Sequence, residues 1–310
     1  HSGRASDLDF GDRATRDRQY NARESVADFD ACIREYARRA NEVRRDHPGI
    51  FDVYYGPGRD QRLDIFPVVA SHQPAPLFVF IHGGYWRAQS KTDAPIMVPA
   101  MVRNGVAVCT LEYTLLPEST LFETVREVRS AIAWLCHHAA GYGIDPARIV
   151  VSGSSAGGQL AGMLGAHGWQ DKYRLPDDVV KGVVGLSGLY DVQPLCNTHI
   201  NEWLQLYPDQ ARRVSPMFNL PRASLPVILA VGGQETDGFK NQTRAYYEAC
   251  RAHGVAVQEI IPAHCNHFDL VHELGDDQAG LFQAVMGLSK SLGSLHMRDE
   301  FCYQVTVERF

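Results

Sequence analysis

Two hydrophobic periodicities alternate along this chain. Leu77-Phe78-Val79-Phe80-Ile81 is an unbroken apolar run, and Val106–Leu111, Val179–Leu186, Leu225–Val231 and Val255–Ile261 read as further strands. Uninterrupted runs such as Leu77–Ile81 and Val106–Leu111 predict strands buried on both faces of a parallel sheet. Between them the apolar positions shift to helical spacing, with Val125, Val128, Ile132 and Leu135 on one face of Leu121–Ala139. Helices are also predicted over Phe239–His253 and Asp276–Leu292. Near the start, Val26, Phe29, Ile33, Tyr36, Ala37 and Ala40 recur at the same spacing within Ser25–Arg45, with charges filling the gaps. That amphipathic helix either lies over the core or forms a lid. Phe51–Tyr55 alternates, Gly56-Pro57-Gly58 breaks it, and Leu63–Phe66 resumes, which predicts an opening hairpin.

Strands alternating with helices place the chain in the α/β class, with a mainly parallel central sheet covered by helices on both faces. No internal repeat or linker divides it. Residues 1–20 are polar and charged and read as a flexible arm. Residues 21–293 read as a single domain with small cap elements at about 21–50 and 190–222, the latter turn-rich and carrying Trp203, Tyr207 and Phe218. Residues 294–310 form a C-terminal extension without an assigned role.

The chemistry gathers at the carboxyl ends of the predicted strands, where an open parallel sheet places its ligands. Val150-Val151-Ser152-Gly153-Ser154-Ser155-Ala156-Gly157-Gly158 runs from an apolar strand through Gly-x-Ser-x-Gly into a helix start of small residues. That pattern predicts a nucleophile elbow presenting Ser155. His82-Gly83-Gly84 follows the Phe78–Ile81 strand, Glu235 and Asp237 follow Val227–Val231, and His267 follows Val255–Ile261. A serine hydroxyl needs an adjacent base, and histidine can take its proton and return it to a leaving group. An acid behind the histidine fixes its tautomer. Glu235 is favoured because it sits nearer the strand end; Asp237 is the alternative acid, and Asp191, after the preceding strand, is a weaker third choice that reads more readily as a structural turn residue. The backbone N–H groups of Gly83, Gly84 and Ala156 would form an oxyanion hole. His82 orients the glycine loop in this reading, while His264 and His272 are ordinary neighbours of the base. Tyr85, Trp86 and Phe268 are candidates for lining a substrate pocket.

Composition narrows the classes. With 45% hydrophobic and 21% charged residues, the 310-residue chain has a globular composition and enough length for a large core. A formal net charge of -6 argues against nucleic acid or an anionic membrane as partner, and no apolar run is long enough to span a bilayer. The expected partner is a small-molecule substrate, with self-association into a homodimer left open. Seven scattered cysteines without a Cys-x-x-Cys pair, and no His-Glu-x-x-His, predict reduced thiols, no metal and no cofactor. Together with a start lacking the layout of a secretory signal, they lead us to expect a cytoplasmic location.

His-Gly-Gly-Tyr-Trp at 82–86, Gly-Ser-Ser-Ala-Gly at 153–157 and Asn-His-Phe at 266–268 resemble the arylformamidase (kynurenine formamidase) branch of the α/β-hydrolases, which is related to the hormone-sensitive-lipase-like esterases. Similar stretches run from Tyr20-Asn21 through Tyr55–Gly58, Leu63–Pro67 and Tyr113–Glu118. The resemblance implies the α/β-hydrolase fold, with Ser155 as nucleophile, His267 as base and Gly83, Gly84 and Ala156 as oxyanion donors. Matching on Phe239-Lys240-Asn241-Gln242 places Glu235 where the family often has Asp. The function expected is a metal-free serine hydrolase cleaving an aryl formamide, with a carboxylesterase for small aryl or acyloxy esters as the alternative. A non-catalytic binding protein on the same scaffold is the rival from another class.

Overall fold

The computed structural model describes residues 5–69 and 71–292. The extension expected at 294–310 lies outside the described residues. Strands β1 (Ile50–Tyr54), β2 (Arg62–Phe66), β3 (Ala75–Ile81), β4 (Ala107–Leu111), β5 (Ile144–Ser154), β6 (Gly182–Leu186), β7 (Val227–Ala230) and β8 (Val257–Ile260) form one sheet. Their order is β1-β2-β4-β3-β5-β6-β7-β8. The β1–β2 and β2–β4 pairs are antiparallel, and every later pair is parallel. The helices are α1 (Ala5–Asp9), α2 (Arg13–Gln19), α3 (Phe29–Asp46), α4 (Val98–Arg103), α5 (Leu121–His138), α6 (Ala156–Gly165), α7 (Asn201–Leu204), α8 (Pro208–Arg213), α9 (Asp237–Ala252) and α10 (Gly280–Ser291). This is the α/β-hydrolase architecture.

Burial explains the order of the strands. Every residue of β3, β4 and β6 is buried, as continuous apolar runs require when helices cover both faces. At the centre Val79 lies in register with Cys109 on one side and Val151 on the other. The outer strands β1 and β8 are largely exposed or half-buried and carry Asp52, Gln258 and Glu259, polar residues suited to an edge. Polar caps set the helix starts: Asp28 accepts from the Ala31 N–H at 3.0 Å to open α3, and Thr120 accepts from Glu123 at 3.2 Å to open α5. The described cysteines are free of disulfides, and no helix of the described residues is long and apolar enough to cross a membrane.

Three expectations are corrected in extent. The strands expected over Val179–Leu186, Leu225–Val231 and Val255–Ile261 are each shorter. Their flanking residues Val179, Val180 and Leu225 are buried without joining a ladder, so apolar content there marks burial rather than pairing. The helix expected from Asp276 begins at Gly280, after a tight helical turn over Asp269–Gly275. Most notably, the flexible arm expected over residues 1–20 is, in its described part, folded into α1 and α2. Leu8 and Tyr20 are buried, and the Tyr20 hydroxyl donates to the Leu8 carbonyl at 2.7 Å. Arg16 is buried against Asp9 and donates to the Asn197 carbonyl at 3.2 Å. A few apolar anchors among many charges were enough to dock the segment.

Candidate active site

The parallel strands all end at one edge of the sheet, and the elbow lies at the end of β5. Ser155 has φ 58° and ψ -115°, a conformation that costs on the order of 1–3 kcal/mol for a residue with a side chain. Its N–H donates to the Leu186 carbonyl at 2.8 Å, and its carbonyl accepts from Gly158 and Gln159, so the surrounding backbone holds it there. The two motif glycines are steric necessities. A Cβ at Gly153 would stand 2.1 Å from the Gly157 carbonyl oxygen, and one at Gly157 would stand 1.9 Å from that of Ile81.

Glu235 and His267 meet beside this elbow. The His267 Nδ1 lies 2.6 Å from Glu235 Oε1, with both side chains buried. Because that partner is a carboxylate, Nδ1 carries the proton and Nε2 is left with its lone pair. The second oxygen, Glu235 Oε2, accepts from the Ser187 hydroxyl and from the Gly232 N–H, each at 2.6 Å. The carboxylate is therefore fixed from three sides. Asp237 is exposed in the first turn of α9, away from this contact. Asp191 accepts from Gln193 and belongs to a turn, as its position implied. His264 pairs with Glu273 at 2.6 Å, and His272 packs edge-on against Tyr36 at 5.4 Å. Burial lowers the His272 pKa to about 4.

The loop after β3 comes up to the elbow from the other side. A Cβ on Gly83 would lie 3.3 Å from the Ser155 Cβ and 2.9 Å from the Ser154 carbonyl, and Gly84 has φ +108°. Either position therefore needs glycine. Among the described residues, none accepts a hydrogen bond from the Gly83 or Gly84 N–H. Ala156 opens α6, where the first N–H groups have no helical acceptor. His82 is buried, with Nδ1 2.7 Å from the Gly83 carbonyl and Nε2 2.9 Å from Glu112 Oε1. Tyr113 stacks on its ring at 4.4 Å and donates to its carbonyl at 2.9 Å. A trans peptide points its C=O and N–H in opposite directions, so anchoring the Gly83 carbonyl also fixes the aim of the Gly84 N–H.

Ser155, His267, Gly83 and Gly84 line one cavity of about 520 Å³, within the range of small-ligand sites. Tyr85 and Phe268 line it too. Trp86 does not: it is wholly buried, and its Nε1 donates to Gln159 Oε1 at 2.9 Å, so the pocket expectation for this residue is corrected. Helix α3 contributes Phe29, Ile33 and Tyr36, and the segment before and within α7 contributes His199 and Trp203. Among the described residues, His264, Cys265 and Glu273 form the one group of metal-ligating type, with their atoms within 4.8 Å of one another. An ion-pair contact of His264 with Glu273 Oε1 at 2.6 Å and a hydrogen bond from the Cys265 thiol to the same oxygen at 3.3 Å account for that arrangement.

The BD-FAE family model matches residues 63–250, more than half of the chain. The chain belongs to the BD-FAE family. The chain falls in an arylformamidase-like branch of the α/β-hydrolases and is a hydrolase. It is 28% identical over 255 residues to a kynurenine formamidase from Danio rerio, an overlap covering 80% of this chain and 83% of that one. It is 30% identical to esterase LipQ of Mycobacterium tuberculosis, over 76% of this chain and 63% of the esterase. Among solved structures, a putative thioesterase from Silicibacter sp. TM1040 superposes with a TM-score of 0.76 at 27% identity, covering 88% of this chain and 98% of that one.

Sequence reasoning missed Ser187, Glu112 and Tyr113 as parts of this site. Ser187 follows β6 directly in a Ser-Gly pair, at the same sheet edge as the elbow, and that position was the available signal. Glu112 follows β4 in the same way. Nothing in the sequence marks the Tyr113 stack on His82.

Proposed function

We propose that this protein is a serine hydrolase that cleaves an aryl formamide through an acyl-enzyme. The observation that carries the reading is the 2.6 Å contact between His267 and a three-fold anchored Glu235, in a protein whose Ser155 lines the same cavity as His267. In this mechanism the Ser155 oxygen attacks the formyl carbon while His267 Nε2 takes the hydroxyl proton. The tetrahedral oxyanion is held by the N–H groups of Gly83, Gly84 and Ala156, each such donor being worth about 3 kcal/mol in the transition state. The C–N bond then breaks, the aryl nitrogen receives the proton from His267, and a formyl ester remains on Ser155. Water attacks that ester with His267 again as base. Formate leaves and the proton returns to Ser155.

The kynurenine formamidase relatives favour a formamide. LipQ, at 30% identity, supports the second reading, a carboxylesterase for small aryl or acyloxy esters built on the same machinery. A panel of N-formylkynurenine, simple aryl amides and p-nitrophenyl esters separates the two. Formamide turnover that disappears in Ser155→Ala is the expected result. Efficient ester turnover with no formamide turnover would defeat the formamidase reading and leave the esterase.

A further inference from the structure

The turn that carries His267 also brings together three donors of other residues. His264 Nε2 lies 2.6 Å from Glu273 Oε1, and the Cys265 thiol donates to the same oxygen at 3.3 Å. All three donor atoms lie within 4.8 Å of one another, with Cys265 and Glu273 buried and His264 exposed. His267, three residues beyond His264, is turned to Glu235 instead. Among the described residues the ion-pair partner of Glu273 is His264, a cation only when protonated. Burial, and then the facing carboxylates of Glu273 and Asp269, push the Cys265 thiol up and keep it protonated. A nitrogen, a sulfur and a carboxylate oxygen thus converge in a field that favours a cation.

The chemistry of the donors selects the ion. Imidazole, thiolate and carboxylate together suit Zn²⁺, whereas Mg²⁺ and Ca²⁺ take oxygen ligands. Around a tetrahedral zinc ion with ordinary bond lengths the donors stand about 3.3–3.6 Å apart. The Cys265–Glu273 separation of 3.3 Å already meets that spacing. The His264–Glu273 contact of 2.6 Å has to open by about 1 Å, which rotation of an exposed ring supplies. A water would complete four ligands, and the exposed His264 provides the way in. No paired-cysteine or His-Glu-x-x-His spacing announces this arrangement, because Glu273 returns to Cys265 from eight residues further on.

We propose that His264, Cys265 and Glu273 form a zinc site that clasps the turn carrying His267. One Zn²⁺ forms bonds to His264 Nε2, Cys265 Sγ and Glu273 Oε1, and the thiol proton passes to solvent. His264 and Cys265 precede His267 in the chain, and Glu273 follows it within Asp269–Gly275, so the ion ties the two ends of the turn together. The Cys265 carbonyl accepts from the Gln234 N–H at 3.0 Å, which connects the clasp to the loop holding Glu235. None of the three ligands lines the cavity beside Ser155, and the site stands whichever substrate that cavity takes.

The test takes the full chain, stripped of metal with a chelator, and titrates it with Co²⁺ as a spectroscopic probe and with Zn²⁺ against a chromophoric chelator. Wild-type protein is expected to bind one ion, with a thiolate-to-cobalt charge-transfer band in the near ultraviolet and the visible bands of a tetrahedral site. Zn²⁺ at about a hundredfold excess over its Kd should raise the melting temperature by about 3–5 °C. Cys265→Ser should abolish the charge-transfer band. His264→Gln, at an exposed position that the fold does not depend on, should weaken Zn²⁺ binding at least about tenfold, since even outer-shell partners are worth about 10–100-fold. Cys196→Ser, which removes a half-buried thiol in the segment before α7, should leave the band and the affinity as they were. Absence of the band in the wild type, its survival in Cys265→Ser, or its dependence on Cys196 overturns the site. Unchanged Zn²⁺ affinity in His264→Gln overturns it too, and so does a loss of binding confined to His267→Gln, which would put the ion on the proposed triad.

Discussion

The Tyr85 hydroxyl donates to the main-chain carbonyl of Tyr20, joining the loop that holds the glycine N–H groups to a segment expected to be an arm. The neighbouring Gln19 carbonyl accepts from the Thr236 hydroxyl at 2.6 Å, and the Gln19 side chain accepts from the Gly238 N–H at 2.8 Å. Two consecutive residues of the N-terminal segment thus connect the loop after β3 with the loop that carries Glu235. Tyr85→Phe leaves the Tyr20 carbonyl without its partner at a cost of about 1 kcal/mol. We expect a melting temperature lower by about 2 °C and a several-fold fall in kcat/KM on an aryl ester. Thermal melts and steady-state kinetics on the variant check both.

Glu235, rather than Asp237, contacts His267, and kinetics should separate the two acids. Removing the carboxylate charge in Glu235→Gln is expected to lower kcat by about a hundredfold or more, as loss of the orienting acid does in comparable triads. Asp237→Asn should remain close to wild type, because that side chain is exposed at the start of α9. Ser187→Ala should fall between them, since Glu235 then keeps its bonds to His267 and Gly232 but loses a hydroxyl at 2.6 Å. A collapse in Asp237→Asn alone would reverse the assignment.

His272 makes the fold sensitive to mild acid. Burial is the main cause of its lowered pKa of about 4, against an ordinary value of 6.5; Arg39 and Arg38 add to the shift and Glu35 opposes it. In the unfolded chain the ring takes up a proton near pH 6.5, and in the folded protein only near pH 4. Its contribution to stability is therefore full above pH 6.5 and is lost as pH falls through that window, by about 3 kcal/mol at most. The ring packs on Tyr36 of α3, whose hydroxyl donates to the Phe268 carbonyl beside the proposed base. His272→Phe should flatten the decline in melting temperature between pH 6.5 and 4. An identical decline in the variant would show that other groups carry it.

Much of this site was legible in the sequence because its parts are backbone devices. Gly153, Gly157, Gly83 and Gly84 each stand where a side chain would collide or the backbone turns left-handed, and such positions leave a mark in the residue type. The alternation of apolar runs with helical spacing gave the fold for the same reason. Contacts between distant segments left no such mark. The choice between Glu235 and Asp237 depended on which side of a turn faces His267, and the docking of α2 depended on Tyr20 reaching Leu8 and Gln242. Trp86 shows the reverse error: an aromatic beside a glycine loop reads as a pocket wall, yet its N–H partner Gln159 draws it into the core.

The central claim is that Ser155 is the nucleophile, and an active-site phosphonate tests it directly. Wild-type protein treated with an aryl or alkyl phosphonate should gain one adduct by intact mass, and peptide mapping should place it on Ser155 in the Gly153–Gly157 peptide. Ser155→Ala should gain none under the same conditions. Labelling that persists in Ser155→Ala, or an adduct mapped to another residue, would contradict the account.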